Sequence, residues 1–205
     1  MNEMSDNELV RIRLRFIDLV KSFFVKEPDS EKMSRWRGTF SALSKEQVSP
    51  RFDSAVQEIA RALSEKTLKE IQTEYYYLFT DPFEGAQIES NASFYFNGRS
   101  YGEALVDMRA LMDEAGLVKI EEVSEQEDSL VVMLDTFASL VQEEQAGATP
   151  KIKELQARLL EEFLEPFVEK FATQLKENKQ CDFYYLCCRV LGGYLDLEKS
   201  LVVSV

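Results

Sequence analysis

The chain has 205 residues, 45% of them hydrophobic and 30% charged, with a formal net charge of -13. That length supports one well-buried core, and the lack of any run of about 18 apolar residues excludes a membrane-spanning helix. With no histidine in the chain, Ser-His-Asp and Cys-His catalysis and the Glu-x-x-His sites of di-iron bundles are ruled out.

The charge is uneven. Residues 1–73 carry 13 basic and 12 acidic groups, whereas residues 74–205 carry 11 basic and 25 acidic groups. Such a field disfavours nucleic acid and anionic lipid and favours a cationic partner, chiefly through steering and discrimination; acidity that serves solubility alone is the other reading. The three cysteines, Cys181, Cys187 and Cys188, suit neither a disulfide framework nor a Cys-x-x-Cys ligand pair, and their apolar setting predicts packing. No metal or cofactor is expected. The opening residues Met1 to Asp6 are polar and acidic, unlike a secretory or mitochondrial leader, so the chain reads as cytoplasmic.

In chain order, Leu9, Ile12, Phe16, Leu19, Val20 and Phe23 recur at helical spacing and predict a first helix over residues 6–26. Its alternating Arg11, Arg13 and Arg15 are expected on solvated sides. Pro28-Asp29-Ser30 breaks it. Met33, Trp36, Phe40 and Leu43 mark a second helix. Ser49-Pro50 reads as cap and first residue of a third, which carries Phe52, Val56, Ile59 and Leu63. Ser64 is the expected cap of a fourth helix through Leu68, Ile71, Tyr75 and Leu78, ending at Asp81-Pro82.

From residue 81 to 99 the periodicity fails. The stretch from Gly85 to Asn97 mixes turn formers with Phe94-Tyr95-Phe96 and reads as one long ordered loop. Ser100-Tyr101-Gly102-Glu103 has the form of a capping box for a helix with Leu105, Met108, Leu111 and Met112, stopped at Gly116. A second box, Ser124-Glu125-Gln126-Glu127, is expected to open a helix through Leu130, Met133, Leu134, Phe137 and Val141 to Gly147. Thr149-Pro150 starts another, which Pro166 should kink or split. The last helix is expected over residues 181–198, followed by a short apolar tail, 201–205. The whole reads as all-α: a single-domain helical bundle, residues 1–205, of about eight to ten helices.

Two stretches stand out as a binding surface. Tyr75, Leu78 and Phe79 share one helical face by their three- and four-residue spacing, and Glu127 and Asp128 place carboxylates at a helix start. Carboxylates beside apolar side chains suit a cationic, apolar peptide. Other roles stay open: Tyr75, Leu78 and Phe79 as core, Glu127 and Asp128 as cap and dipole partners, Ser93 and Tyr95 as loop pins. A helical adaptor for a folded partner is the alternative function, and it requires an exposed apolar patch away from residues 75–130. No Gly-x-x-x-x-Gly-Lys-Ser/Thr phosphate loop occurs, which argues against a nucleotide hydrolase.

The motif order resembles the TorD/DmsD/NarJ family of redox-enzyme maturation chaperones over residues 70–195. The matching elements are Tyr75-Tyr76-Tyr77-Leu78-Phe79, Ser93-Phe94-Tyr95, Gly116-Leu117, Glu125-Gln126-Glu127-Asp128-Ser129 and Pro166-Phe167. The family's acidic segment has a proline where this chain has Gln126 and a histidine where it has Ser129, and its late tryptophan falls on Phe167. The resemblance implies a non-catalytic, cytoplasmic, all-helical chaperone. It would bind the twin-arginine signal peptide of a molybdenum-containing oxidoreductase and hold the precursor back until its cofactor is inserted. It also implies peptide-binding roles for Tyr75, Leu78, Phe79, Ser93, Tyr95, Glu127, Asp128 and Ser129. Ser129 can keep a hydrogen bond in place of the histidine but not a ring or a titratable charge. Oligomeric state is left open between a monomer and a domain-swapped dimer with residues 81–99 as hinge.

Overall fold

The computed structural model describes residues 6–81, 87–147 and 149–203, without the side chains of Ala146 and Val203. Among these residues the regular structure is helical, with one isolated antiparallel bridge, Asn91 to Ser129. The expected all-α class is what the chain adopts. Pro82, Gly85 and the end of the expected apolar tail lie outside the described residues; the start of that tail continues the last helix instead.

The helices are α1 (Asp6–Lys21), α2 (Ser30–Leu43), α3 (Pro50–Glu65), α4 (Leu68–Tyr75), α5 (Ala92–Asn97), α6 (Glu103–Glu114), α7 (Leu130–Gly147), α8 (Pro150–Arg158), α9 (Glu165–Glu177) and α10 (Phe183–Val203). Two π-helical turns extend them, Tyr76–Thr80 after α4 and Leu159–Leu164 between α8 and α9. The second π turn has a local cause. Pro166 offers no N–H and its ring crowds the carbonyl four residues back, so the ladder widens, and Glu165 N–H bonds to the Leu160 carbonyl five residues earlier.

The chain forms two compact units, each assembled from separated stretches. The first comprises residues 1–21, 90–167 and 198–205; the second comprises 22–89 and 168–197. In the first, α1 lies along α7, α7 also packs on α8 and the π turn after it, and α5 packs on α6. Met108, Leu111, Met133, Leu134, Phe137, Leu159 and Leu164 are fully sealed there. The second unit is aromatic at its centre. Phe23 meets Trp36 at 5.0 Å and Phe40 at 5.8 Å, and Trp36 donates its indole N–H to Ser22 Oγ at 2.8 Å. Gly193 lets α10 approach α3 closely: a Cβ there would stand 3.0 Å from Phe52 Cα.

Several helix starts differ from expectation, each for a visible reason. Ser64 bonds back to the Arg61 carbonyl inside α3, and α4 is opened instead by a Thr67/Glu70 capping box. Helix α6 begins at Gly102 without a side-chain cap from Ser100; Asn97 Oδ1 takes the Ala104 N–H at 3.0 Å. Ser124 does not open α7. Ser129 does, its Oγ accepting the Val132 N–H at 3.3 Å. Part of the expected loop, residues 92–97, is the short helix α5. Gly116, at φ 71, ends α6 as expected, and Leu117 N–H closes onto the Met112 carbonyl at 2.9 Å.

Helix α1 ends at Lys21; Leu19 and Val20 are buried as expected, whereas the earlier part of its inner face is shifted by one position. Val10 and Ile17 are buried, Ile12 is 46% exposed, and Arg13 takes the inward place. Arg13 is satisfied inside the first unit: Nε donates to Glu198 at 2.9 Å, Nη2 donates to Gln156 Oε1 at 2.8 Å, and Nη1 pairs with Glu144. A buried guanidinium needs all three, because its five donors would otherwise lose water without replacement.

Candidate functional site

Of the eight expected peptide-binding residues, Ser93, Tyr95, Glu127, Asp128 and Ser129 fall in the first unit, and Tyr75, Leu78 and Phe79 in the second. In the first unit the structure brings Ser93 and Asp128 together. Asp128 is fully buried; its carboxylate accepts the Ser93 N–H at 2.8 Å, the Ser93 hydroxyl, and Asn91 Nδ2 at 3.2 Å. Backbone bonds reinforce the pair, Ala92 N–H to the Asp128 carbonyl and Leu130 N–H to the Ser90 carbonyl, both 2.9 Å. Asp128 therefore caps α5 from another segment, and Ser129, also buried, caps α7. The expectation that Asp128 offers its carboxylate to a bound guanidinium meets a carboxylate already committed inside the protein.

Glu127 keeps partial access, with its side chain 17% exposed, and accepts Arg109 Nη2 at 3.0 Å. Burial pushes this carboxyl up, but the Arg109 hydrogen bond and the charges of Arg109 and Lys119 prevail and hold it below its ordinary value. It stays ionised at neutral pH. Tyr95 is half-buried, its ring edge-on to Phe94 at 5.3 Å and to Phe167 at 5.1 Å, so two elements of the sequence motif meet here.

In the second unit Tyr75 and Phe79 remain half-buried with ring centroids 5.1 Å apart, while Leu78 is sealed. Both rings lean on Tyr184, at 5.7 and 5.2 Å. The Tyr184 hydroxyl is buried with no hydrogen-bond partner. Glu74 is buried beside them and accepts the N–H groups of Asp182 and Tyr184 at 2.8 and 2.9 Å, which fixes the start of α10. Burial raises the Cys181 thiol to about 12, and Cys187 and Cys188 are fully enclosed. These are packing residues rather than nucleophiles.

Sequence reading passed over one feature of the first unit. A hollow of about 420 Å³ is walled by the end of α6, by residues 117–123 and by α7. The alternation Leu117-Val118-Lys119-Ile120 after the Gly116 stop was the available signal. Val118 and Ile120 are 88% and 67% exposed.

The model of the family described as nitrate reductase delta subunit matches residues 45–173, more than half of the sequence. The chain belongs to the nitrate reductase delta subunit family. This is a family of redox-enzyme maturation chaperones without catalytic activity. The fold of this delta-subunit relative is similar to that of a solved protein from Archaeoglobus fulgidus, provisionally assigned as a redox enzyme maturation protein. The TM-score is 0.58 at 20% identity, over 90% of this chain and 94% of that one. No curated protein matches. Among the described residues no helix is long and apolar enough to cross a membrane, and no cluster of three or more acidic or cysteine side chains could hold a metal ion.

Proposed function

We propose that this chain is a cytoplasmic chaperone that binds the twin-arginine signal peptide of a nitrate-reductase-type molybdoenzyme and retains the precursor until its cofactor is in place. Family membership supplies the class of client. The observation that carries the finer reading is the segregation of charge: the first unit holds 21 acidic and 11 basic residues, the second 16 and 13. A leader with two guanidinium groups and an apolar stretch is drawn to such a surface, and carboxylates grip guanidinium in a bidentate way that ammonium cannot copy. On the first unit Glu127 and Tyr95 are the proposed contacts, with Ser93, Asp128 and Ser129 holding the local backbone. On the second they are Tyr75 and Phe79, with Leu78 anchoring them.

The adaptor alternative asks for apolar exposure away from residues 75–130. Val118, Tyr101, Ile120 and Val106 are the four most exposed large apolar side chains among the described residues, and all lie inside that stretch. Titration with a twin-arginine peptide and with its twin-lysine form is the test. Binding of the first, weakened about tenfold or more in the second, is expected; failure of both to bind overturns the proposal.

A further inference from the structure

The hollow between α6, residues 117–123 and α7 has a definite chemical character. Its volume of about 420 Å³ lies within the roughly 300–1,000 Å³ typical of ligand sites. Met112, Leu117, Ile120, Val123 and Val132 supply apolar wall. The hydroxyls that line it are already turned to the helix backbone: Thr136 donates to the Val132 carbonyl at 2.9 Å and Ser139 to the Asp135 carbonyl at 3.0 Å. Of the other polar lining, Lys119 is engaged by the Glu125 carbonyl and Gln142 is exposed, so an occupant meets little demand for hydrogen bonds against the apolar wall and gains from leaving water.

Its surroundings are acidic. Glu121 and Glu122 follow Ile120 directly, Glu125 comes three residues later, and all three are exposed; Asp135 stands on the α7 wall, paired with Lys21 at 2.5 Å. Lys119, the only basic residue in 117–128, donates to the Glu125 carbonyl at 2.6 Å. A second copy of the chain, itself at -13, would be repelled, and so would an anionic lipid surface.

We infer that this hollow receives the uncharged apolar stretch of the client's leader, with the leader's basic residues lying over Glu121, Glu122 and Glu125. The inference rests on the function proposed above and adds where the apolar part docks. Val118 and Ile120, left in water in the free protein, close over it when it arrives.

The probe is a fluorescent synthetic peptide with an Arg-Arg pair followed by an uncharged leucine- and alanine-rich stretch of roughly 7–15 residues, titrated by anisotropy. The variant V118D/I120D changes two exposed side chains and spares the core; far-UV circular dichroism verifies its fold. It adds negative charge, so electrostatics alone would tighten binding of a cationic peptide. Loss of affinity by about tenfold or more, with V106D as an exposed control within about twofold of wild type, is the expected result. A shortened peptide lacking the apolar stretch should not distinguish V118D/I120D from V106D. Wild-type affinity of V118D/I120D for the full peptide overturns the assignment of this hollow while leaving the proposed function standing; no binding by the wild-type protein overturns both.

Discussion

Asp128 shows how one carboxylate can be read two ways from sequence and only one way in space. It sits in an acidic helix start, yet it is buried and accepts both the N–H and the hydroxyl of Ser93. Asp128→Ala leaves two buried donors unpaired and is expected to lower stability by about 3 kcal/mol, seen as a fall in the urea midpoint. Unchanged stability would show that water or another residue replaces the carboxylate. Glu127, one residue earlier, is the accessible member, and its lowered pKa makes a pH prediction. A carboxyl whose folded value is depressed adds stability above its ordinary range and loses it as pH falls through the folded value. The melting temperatures of wild type and Arg109→Leu should therefore differ at pH 7 and converge below about pH 4.

At the scale of elements, the helices carry their own causes in part. Helices α3, α8 and the end of α6 sit where Ser49-Pro50, Thr149-Pro150 and Gly116 place them, because a fixed φ, a missing N–H or a left-handed residue acts locally. Helices α4 and α7 start elsewhere than at the serines first read as caps, because Thr67 and Ser129 reach the right N–H groups and Ser64 and Ser124 do not. Arg13 joins α1 to α7, α8 and the last turns of α10 within the first unit. Arg13→Met strands Glu144 and Glu198 without their cation and should cost about 3–5 kcal/mol in chemical denaturation. Adding Glu144→Gln and Glu198→Gln should recover part of it. If the triple variant is no more stable than Arg13→Met, the guanidinium contributes through packing rather than charge.

For the molecule as a whole, charge sets the terms of encounter. The first unit holds 10 of the 13 net negative charges by the residue counts given above. Long-range attraction is screened within about 10 Å at 0.1 M salt, so association of a twin-arginine peptide followed by stopped flow should slow about tenfold between 0.05 and 0.5 M salt, with dissociation changing far less. A salt-independent association rate would mean that the acidic surface plays no part in capture.

The sequence by itself determined the helical class, most helix positions, the absence of histidine chemistry and the acidic bias, because periodicity, proline, glycine and composition act through neighbours a few residues apart. The family resemblance, carried by motif order, also stood in the sequence and agrees with the family match over residues 45–173. Tertiary structure alone decided which polar groups are hidden. Whether Arg13 and Asp128 face water depends on Glu198, 185 residues away, and on Ser93, 35 residues away. It also decided that Val118 and Ile120 border a hollow: the apolar residues after Gly116 stand in the sequence, but the wall they share with α7 exists only once the two separated segments pack.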